Sequence, residues 1–316
     1  MPILSRLKSI SKPETHTLPA LRSADPASWL QGEQEPLRRL RSRGWLDACA
    51  YDGCQSGWLH PWRSRSIPIF EGGWTCSAEC TIARVLAAVR REMEGRRQLS
   101  ERHRHRNPLG LLLLQQGWVS QIQLRQALDA QKAVGTGRLG DWLIRLGAVN
   151  EAQVTRALAL QWSCAILRPE PRGAPALSVV MPRLFVEAFS ALPLRLAAGR
   201  VLYLGFEERL DPVLALALER MAGVAIESGV VPGSEFRPGI ARMLEAEYPE
   251  AELVEAASES AAAQTLARRV ERVRPSASRL VRVHDCLWLR MWLRVQKNAL
   301  PERGDVKDVV CSIGDF

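Results

Sequence analysis

The stretch that decides the fold is NPLGLLLLQQGWVSQIQLRQALDAQ at residues 107–131, because a second version of it, GRLGDWLIRLGAVNEAQVTRALALQ, fills residues 137–161. Eight positions match at a fixed offset of thirty residues. The matched pairs are Leu109/Leu139, Gly110/Gly140, Leu113/Leu143, Gly117/Gly147, Leu124/Val154, Ala127/Ala157, Leu128/Leu158 and Gln131/Gln161. So many matches at one offset predict two copies of one structural unit.

Each copy predicts a helix, a tight turn and a second helix. Gly117 and Gly147 stand where a short helix needs a left-handed stop. The pairs with capping-box spacing that start the second helices are Ser120 with Gln123 and Asn150 with Gln153. Gly110 and Gly140 lie at or inside the first helix, where glycine costs about 1 kcal/mol against alanine. A destabilising glycine at the same place in both copies predicts that another group closely approaches the backbone there.

Composition and charge limit the classes of protein. The chain has 316 residues, long enough for two modest domains, and its 47% hydrophobic and 24% charged residues are typical of a globular protein. The formal net charge of +9 indicates an anionic partner such as a nucleotide, a nucleic acid or a membrane surface. Basic residues are concentrated before residue 107, as in RRLRSR and ERHRHR. We find neither a signal peptide nor a membrane-spanning apolar run, and we expect a cytoplasmic protein.

Two simple interpretations of the repeat stay open from the residues alone. In the first, two helical hairpins only pack on each other, with the leucines as core and the glycines as helix contacts. In the second, the hairpins are helix-turn-helix units that read DNA. The second is weakened because acidic residues accompany the five basic ones, so no basic recognition face forms.

The doubled pattern itself resembles a known family. The motif RLG, two residues, an apolar residue, three residues, Gly, and a second helix ending in Leu, two residues and Gln resembles the MshEN domain. That domain is the N-terminal domain of type II secretion and type IV pilus assembly ATPases (GspE N-terminal-like), and it is known as a receptor for cyclic di-GMP. The resemblance continues through the segment that contains MPRLFVEAFSALPL and RVLYLGF, so it covers residues 107–249.

The resemblance implies a cyclic di-GMP site built from both copies. Backbone at helix starts suits the phosphates, guanidinium groups suit the bases or phosphates, and apolar side chains suit the faces of the rings. By the family's pattern, the ligand-binding residues are Leu109, Gly110, Leu124, Leu128, Gln131, Arg138, Leu139, Gly140, Asp141, Val154, Leu158 and Gln161. A later acidic residue, Glu208 or Asp211, matches a further contact of the family.

The first copy departs from the family's motif. Pro108 stands where the motif has Arg, which removes a guanidinium group and a backbone donor together. Arg104 and Arg106 are close enough in sequence to compensate if the chain bends before the first helix. The spacer KAVGTG between the copies is also one residue longer than the family's usual five.

Four cysteines near the N-terminus form a second group. Cys49, Cys54, Cys76 and Cys80 occur as two pairs, the second of which opens a predicted helix. This arrangement suits structural zinc in a treble-clef finger, and WTCSAEC resembles the FCS-type zinc finger. The first pair is spaced more widely than in that family, and His60 is a reserve ligand. Unrelated free thiols are the alternative, and we expect Cys164, Cys286 and Cys311 to be core residues.

The remaining segments complete a predicted α+β fold: tandem helical hairpins followed by a small α/β subdomain, with a small N-terminal zinc-binding module. The predicted blocks are a flexible basic arm at 1–44, the zinc module and its helix at 45–100, the repeats at 107–165, the α/β part at 166–249 and a helical extension at 250–316. In the α/β part, helical and strand patterns alternate. In the extension, SESAAAQTLARRVERVR and LWLRMWLRV are both predicted as helices, the latter as a core or partner-docking helix.

These patterns predict a non-enzymatic protein. No GxxxxGK[ST] phosphate loop occurs, so we expect no ATP hydrolysis, and the neighbours His284 and Asp285 do not suggest a catalytic dyad. The leading hypothesis is a cyclic di-GMP-sensing signalling adaptor with a protein partner, related to secretion or pilus assembly. The first alternative is a structural adaptor of such a machine that has lost nucleotide binding. The second alternative is a nucleic-acid binder that uses the basic zinc module. Nucleic acid is less favoured as a partner than cyclic di-GMP or a protein.

Overall fold

The computed structural model describes residues 49–55, 69–94, 107–169, 175–198, 200–294 and 300–314. The predicted arm at 1–44 lies outside these residues. So do the reserve metal ligand His60 and the two basic residues near Pro108, Arg104 and Arg106. The elements are β1 (Ile69–Phe70), β2 (Gly73–Trp74), α1 (Ala78–Glu94), α2 (Leu109–Gln115), α3 (Gln121–Val134), α4 (Leu139–Arg145), α5 (Glu151–Trp162), β3 (Ala165–Ile166), α6 (Arg183–Phe189), β4 (Leu192–Ala197), β5 (Val201–Phe206), α7 (Pro212–Ala222), β6 (Ala225–Val230), α8 (Gly233–Glu245), β7 (Glu250–Ala256), α9 (Glu259–Val273), β8 (Ala277–Val283), β9 (Cys286–Trp292) and β10 (Val306–Ile313). Short 3₁₀ helices lie at Pro175–Val179 and Arg303–Asp305.

The tandem repeat forms the two predicted helical hairpins, α2–α3 and α4–α5. Gly117 and Gly147 end the first helices with φ of +67° and +68°, and both predicted capping boxes are present. The first helix of each copy packs against the second helix of the other copy. The core shared by the copies consists of matched positions, and its fully or nearly fully buried members are Leu113, Val119, Ala127, Leu143, Val149, Val154 and Ala157.

The α/β part follows the repeat as predicted. Its four strands lie in the order β3-β6-β5-β4, in which β6 runs parallel to β5 and to β3, while β4 is antiparallel to β5. Helix α7 connects β5 to β6. Asp211 caps its start by accepting a hydrogen bond from the Leu214 amide at 2.9 Å, and Gly223 ends it with φ of +66°. This crossover brings the carboxyl ends of β5 and β6 to the same edge of the sheet.

The prediction of a helical extension at 250–316 was wrong. Helix α9 is there, but β7, β8, β9 and β10 form a four-stranded sheet in the order β7-β10-β9-β8. The segment LWLRMWLRV, predicted as a helix, contributes strand β9, and six of the seven residues of β9 are buried. A short apolar run that is buried on both faces has no period that distinguishes a strand from a buried helix.

The N-terminal segment is not a separate module, because it packs on the C-terminal sheet. Helices α1 and α9 lie side by side, and both contribute to one apolar core with the sheet. Beside strand β8, the Ser278 hydroxyl donates to the Ile69 carbonyl at 2.9 Å, and the Glu71 amide donates to the Ser278 carbonyl at 3.1 Å. We call residues 49–94 together with 250–314 the composite unit.

A buried ion pair joins the composite unit to the α/β part. Arg290 in β9 and Asp308 in β10 are each 2% exposed, and their two guanidinium–carboxylate bonds measure 2.8 and 2.7 Å. The same guanidinium group donates to the carbonyls of Val179 and Val180 at 2.9 and 2.8 Å. Because every partner of this pair is supplied by protein, the junction is satisfied without water.

A second junction centres on Glu92 at the end of α1. This carboxylate is 4% exposed and accepts two hydrogen bonds from Arg220 of α7, at 2.6 and 2.8 Å. It also accepts from the Arg282 amide of β8 at 3.3 Å.

Among the helices formed by the described residues, none is both long and apolar enough to cross a membrane.

Candidate functional site

The last glutamine of each repeat copy reaches the start of the other copy. The Gln131 side chain donates to the Gly137 carbonyl at 2.8 Å, and the Gln161 side chain donates to the Asn107 carbonyl at 2.8 Å. Gly137 and Asn107 occupy matched positions, directly before Arg138 and Pro108. The two hydrogen bonds are therefore the same contact made reciprocally, each joining the end of one copy's second helix to the start of the other copy.

The repeated glycines allow this close packing. A Cβ at Gly110 would lie 3.0 Å from Leu124 Cδ1 and 3.4 Å from Leu139 Cδ2. A Cβ at Gly140 would lie 2.9 Å from Val154 Cγ1 and 3.8 Å from the side chain of Leu109. The groups that approach the backbone in this structure are thus apolar side chains of both copies, which confirms the close approach predicted from the sequence.

The structure brings most of the predicted apolar residues together around these glycines. Leu109, Leu124, Leu139 and Leu158 are partly buried and pack on the core of the repeats, and Val154 is 9% exposed. Leu128 differs, because 37% of it is exposed and it lies outside that core. The apolar side chains of the two copies therefore meet at the helix starts, and Leu128 lies outside this group.

Arg138 lies between carboxylates of the α/β part. Its guanidinium group is 2.7 Å from Glu207 and 2.8 Å from Glu208, the two residues that follow β5. Burial opposes the charge of Arg138, but the carboxylates of Glu207 and Glu208 outweigh this effect and raise its pKa. Burial, followed by repulsion from Glu207, raises the pKa of Glu208 in spite of the attraction of Arg138. Arg138 is thus held in a charged, ion-paired state at the boundary of the two parts.

Two further residues complete this ion cluster. Arg237 of α8 lies 3.1 Å from Glu207 and 3.8 Å from Asp141. Glu207 directly follows β5, and α8 begins just after β6, so both come from the carboxyl ends of neighbouring parallel strands. Ligands of open α/β sheets commonly bind at this edge. Sequence reasoning missed Glu207 and Arg237, although an acidic pair after a buried strand was the available signal.

Asp211, the other acidic candidate, is engaged elsewhere. Besides capping α7, its carboxylate lies 2.9 Å from Nε2 of His284, whose ring stacks on Phe189 with centroids 5.5 Å apart. Asp285 instead lies 3.7 Å from Arg282. Of the two acidic candidates, Glu208 is the one whose carboxylate pairs with Arg138.

The two copies differ in polarity at their starts. Pro108 caps α2 where Arg138 caps α4, and Leu111, of which 56% is exposed, occupies the position of Asp141. The second copy therefore presents charged groups, whereas the first presents an apolar surface.

The four N-terminal cysteines form a separate cluster. Their sulfur atoms all lie within 4.8 Å of one another, with Cys54 3.4 Å and Cys80 3.6 Å from Cys76. The Cys76 amide donates to the Cys49 sulfur at 3.4 Å, and Cys80 lies in the first turn of α1. Burial raises the pKa of the Cys80 thiol to about 12 and also raises that of Cys49. Four converging sulfur atoms are a donor set that fits a tetrahedral metal ion.

Comparisons with known proteins give a small number of relatives. A scan against models of protein families gives no match. The chain is 31% identical to MshE in its structure with cyclic di-GMP, with 44% of this chain and 99% of that chain covered and a TM-score of 0.37. It is 31% identical over 194 residues to the type IV pilus assembly ATPase PilB of Thermus thermophilus, covering 50% of this chain but only 21% of PilB. The N-terminal domain of XpsE is 20% identical, with 42% and 92% covered and a TM-score of 0.31.

The chain spans about a fifth of the length of PilB, so the match concerns a part of that protein. The identity to MshE extends over nearly the whole of the MshE chain. Over half of its length or less, the chain is therefore similar in sequence to MshE and to a part of PilB.

Proposed function

We propose that this protein is a non-enzymatic signalling adaptor that binds cyclic di-GMP and is related to the regulation of secretion or pilus assembly. The observation that carries the proposal is the close approach of the two matched helix starts. A Cβ at Gly110 would lie 3.4 Å from Leu139 Cδ2, and a Cβ at Gly140 would lie 3.8 Å from the side chain of Leu109. Cyclic di-GMP likewise consists of two identical nucleotide halves. The relative MshE has been solved with this nucleotide, which supports the same ligand class here.

The chemistry of the site fits such a ligand. The starts of α2 and α4 offer backbone donors, Arg138 offers a guanidinium group, and the leucines around Gly110 and Gly140 offer a surface for purine rings. Asp141 and Glu208 are acceptors for the polar edge of a guanine. No reaction is required of any of these groups, and the adaptor role consists of passing the liganded state to a protein partner.

Calorimetric titration with cyclic di-GMP tests the function. We expect a dissociation constant in the micromolar range or below for the wild type, with GTP as the control nucleotide. Arg138→Ala should weaken binding by at least about tenfold, because it removes a charge-assisted contact. Arg156→Ala, an exposed arginine on α5, is the matched control and should bind as the wild type does. Absence of wild-type binding at millimolar nucleotide would refute the proposed ligand.

The second candidate is a structural adaptor of a secretion or pilus machine that has kept the fold without the nucleotide. Pro108 and Leu111 favour it, because the first copy offers neither the guanidinium group nor the carboxylate of the second copy. Replacing both at once, as Pro108→Arg with Leu111→Asp, separates the candidates. Binding gained only in this double variant would identify the structural adaptor, whereas binding already present in the wild type would identify the receptor.

We also propose that Cys49, Cys54, Cys76 and Cys80 hold a structural zinc ion. Four sulfur ligands leave no open position, so the ion would stabilise the loop before α1 and supply no catalysis. We expect one zinc per chain by elemental analysis of protein purified without chelator. Cys80→Ser should lose the metal, whereas Cys164→Ser, outside the cluster, should retain it. Equal metal content in both variants would refute the site.

A further inference from the structure

The carboxylate of Glu207 is held by two guanidinium groups from different parts of the chain. Its Oε2 lies 2.7 Å from Nη1 of Arg138, at the start of α4. Its Oε1 accepts hydrogen bonds from Nη2 and Nε of Arg237 in α8, at 3.1 and 3.2 Å. The two arginines are separated by almost a hundred residues, yet they converge on one anionic group.

The backbone at the start of α8 lies close to the same carboxylate. A Cβ at Gly233 would be only 2.6 Å from Oε1 of Glu207, so only a glycine fits there without displacement. The next amide, of Ser234, donates to Glu151 at 2.7 Å and is already engaged. The arginines are therefore the principal donors, and the start of the helix adds a favourable dipole.

Two arginines around one anion is the arrangement that proteins use to bind phosphate groups. The guanidinium groups are accessible, because 45% of the Arg138 side chain and 64% of the Arg237 side chain are exposed. Glu207 is 17% exposed and lies on the inner side of this pair. The flanking carboxylates of Glu208 and Asp141 face the same two arginines, so the cluster holds more acidic than basic groups.

We propose that Arg138 and Arg237 form a clamp for a phosphate group of the nucleotide, and that the Glu207 carboxylate occupies this clamp in the nucleotide-free protein. The inference rests on the proposed nucleotide binding and adds Arg237 and Glu207 to the site. A phosphate takes the place of the carboxylate, so Glu207 is an internal competitor whose removal favours the nucleotide. Displacement of Glu207 also moves the loop that precedes α7.

Opposite signs of two substitutions test the clamp. In calorimetric titration with cyclic di-GMP at low salt, Arg237→Ala should weaken binding by about fivefold or more, and Glu207→Gln should tighten it by about fivefold. Both substitutions break the same ion pair, so a purely structural role of the pair predicts changes of the same sign. The matched controls are Arg183→Ala and Glu187→Gln, which break a solvent-exposed pair of 2.8 Å in α6 and should leave affinity unchanged.

Each outcome decides between the proposals. Wild-type binding that Arg138→Ala weakens but Arg237→Ala does not would overturn the clamp and leave the nucleotide function intact. Weaker binding by Glu207→Gln would overturn the competition, because the carboxylate would then be a ligand contact. Wild-type binding that Glu207→Gln tightens and Arg237→Ala weakens would support the clamp and show that Glu207 competes with the nucleotide. Absence of binding in all variants would overturn both the function and the clamp.

Discussion

The tandem repeat and the composite unit are stabilised in contrasting ways. In the repeat, two segments that are close in sequence pack together, with the first helix of each copy against the second helix of the other. The side-chain amides of Gln131 and Gln161 each bond to the start of the other copy. In the composite unit, segments about two hundred residues apart share an apolar core, and the buried pairs Arg290–Asp308 and Glu92–Arg220 lie where the unit meets the α/β part. The difference shows that local repetition needs few polar contacts, whereas long-range assembly depends on a small number of buried charges.

The largest effect is expected at the buried pair of the composite unit. Asp308→Ala leaves Arg290 buried without its carboxylate, so the free energy of unfolding should fall by about 3–5 kcal/mol. Urea denaturation followed by tryptophan fluorescence measures this. Asp285→Ala, whose carboxylate is 41% exposed and 3.7 Å from Arg282, should cost less than about 1 kcal/mol. Equal losses would contradict the contrast.

Substitution of Glu92 should also lower the free energy of unfolding, and the size of this loss should depend on pH. Burial opposes its charge, but Arg220 and then Arg91 outweigh it, and the pKa of Glu92 is lowered. Because the unfolded pKa of about 4.3 is the higher one, the stabilisation is complete above that pH and is lost as the pH falls through the folded pKa. Glu92→Gln should cost about 2–3 kcal/mol at neutral pH in urea denaturation.

Denaturation at acidic pH tests whether Glu92 stabilises the protein through its charge. The difference between wild type and Glu92→Gln should shrink as denaturation is repeated at successively lower pH. Glu252→Gln breaks a more exposed pair with Arg269 and should cost less than about 1 kcal/mol at neutral pH. A pH-independent difference would mean that Glu92 acts through packing and not through charge.

Within the repeat, the matched glycines should respond unequally. The added methyl of Gly140→Ala meets Val154, whose branched side chain is stiff, so a loss of about 1–2 kcal/mol is expected. The added methyl of Gly110→Ala meets the flexible end of Leu124, which can turn away, and helix propensity offsets the contact. Thermal unfolding of the two variants compares the copies, and equal midpoints would show that the repeat absorbs both changes alike.

The smallest effects are expected at the closing glutamines. Gln131→Ala and Gln161→Ala each remove one partly exposed hydrogen bond and should each cost about 0.5–1 kcal/mol in urea denaturation. The two losses should agree, because the contacts are reciprocal. A markedly larger loss for one variant would show that the two closures are not equivalent.

The sequence predicts the repeat and the α/β part because their signals are local. Gly117, Gly147 and the capping boxes lie within a few residues of the helices that they end or start. The composite unit has no such signal. Leu287, Trp288 and Leu289 are all fully buried in β9. The run therefore lacks the alternation of apolar and polar residues that indicates a strand. The packing of β1 beside β8 depends on contacts between residues that are about two hundred positions apart.

The same limit applies to the site. Arg138 is found from the motif, as are the glycines and leucines around it. Its partners Glu207 and Glu208 lie about seventy residues away and belong to no periodic pattern. Arg237 looks like any exposed arginine of an amphipathic helix until the fold brings the start of α8 beside Glu207, which follows β5. The residues that build the scaffold of the site can therefore be recognised from local sequence. The ion pairs of Arg138 depend instead on the tertiary structure.

The composite unit also has a consequence for synthesis. Strand β10 lies between β7 and β9, and it is translated more than two hundred residues after α1. At roughly 5–20 residues per second, the interval is about ten seconds or more. During that time the apolar side of α1, with Val85 and Val89, lacks the sheet that later covers it. The early-made helix therefore exposes these apolar side chains on the nascent chain until β10 completes the sheet.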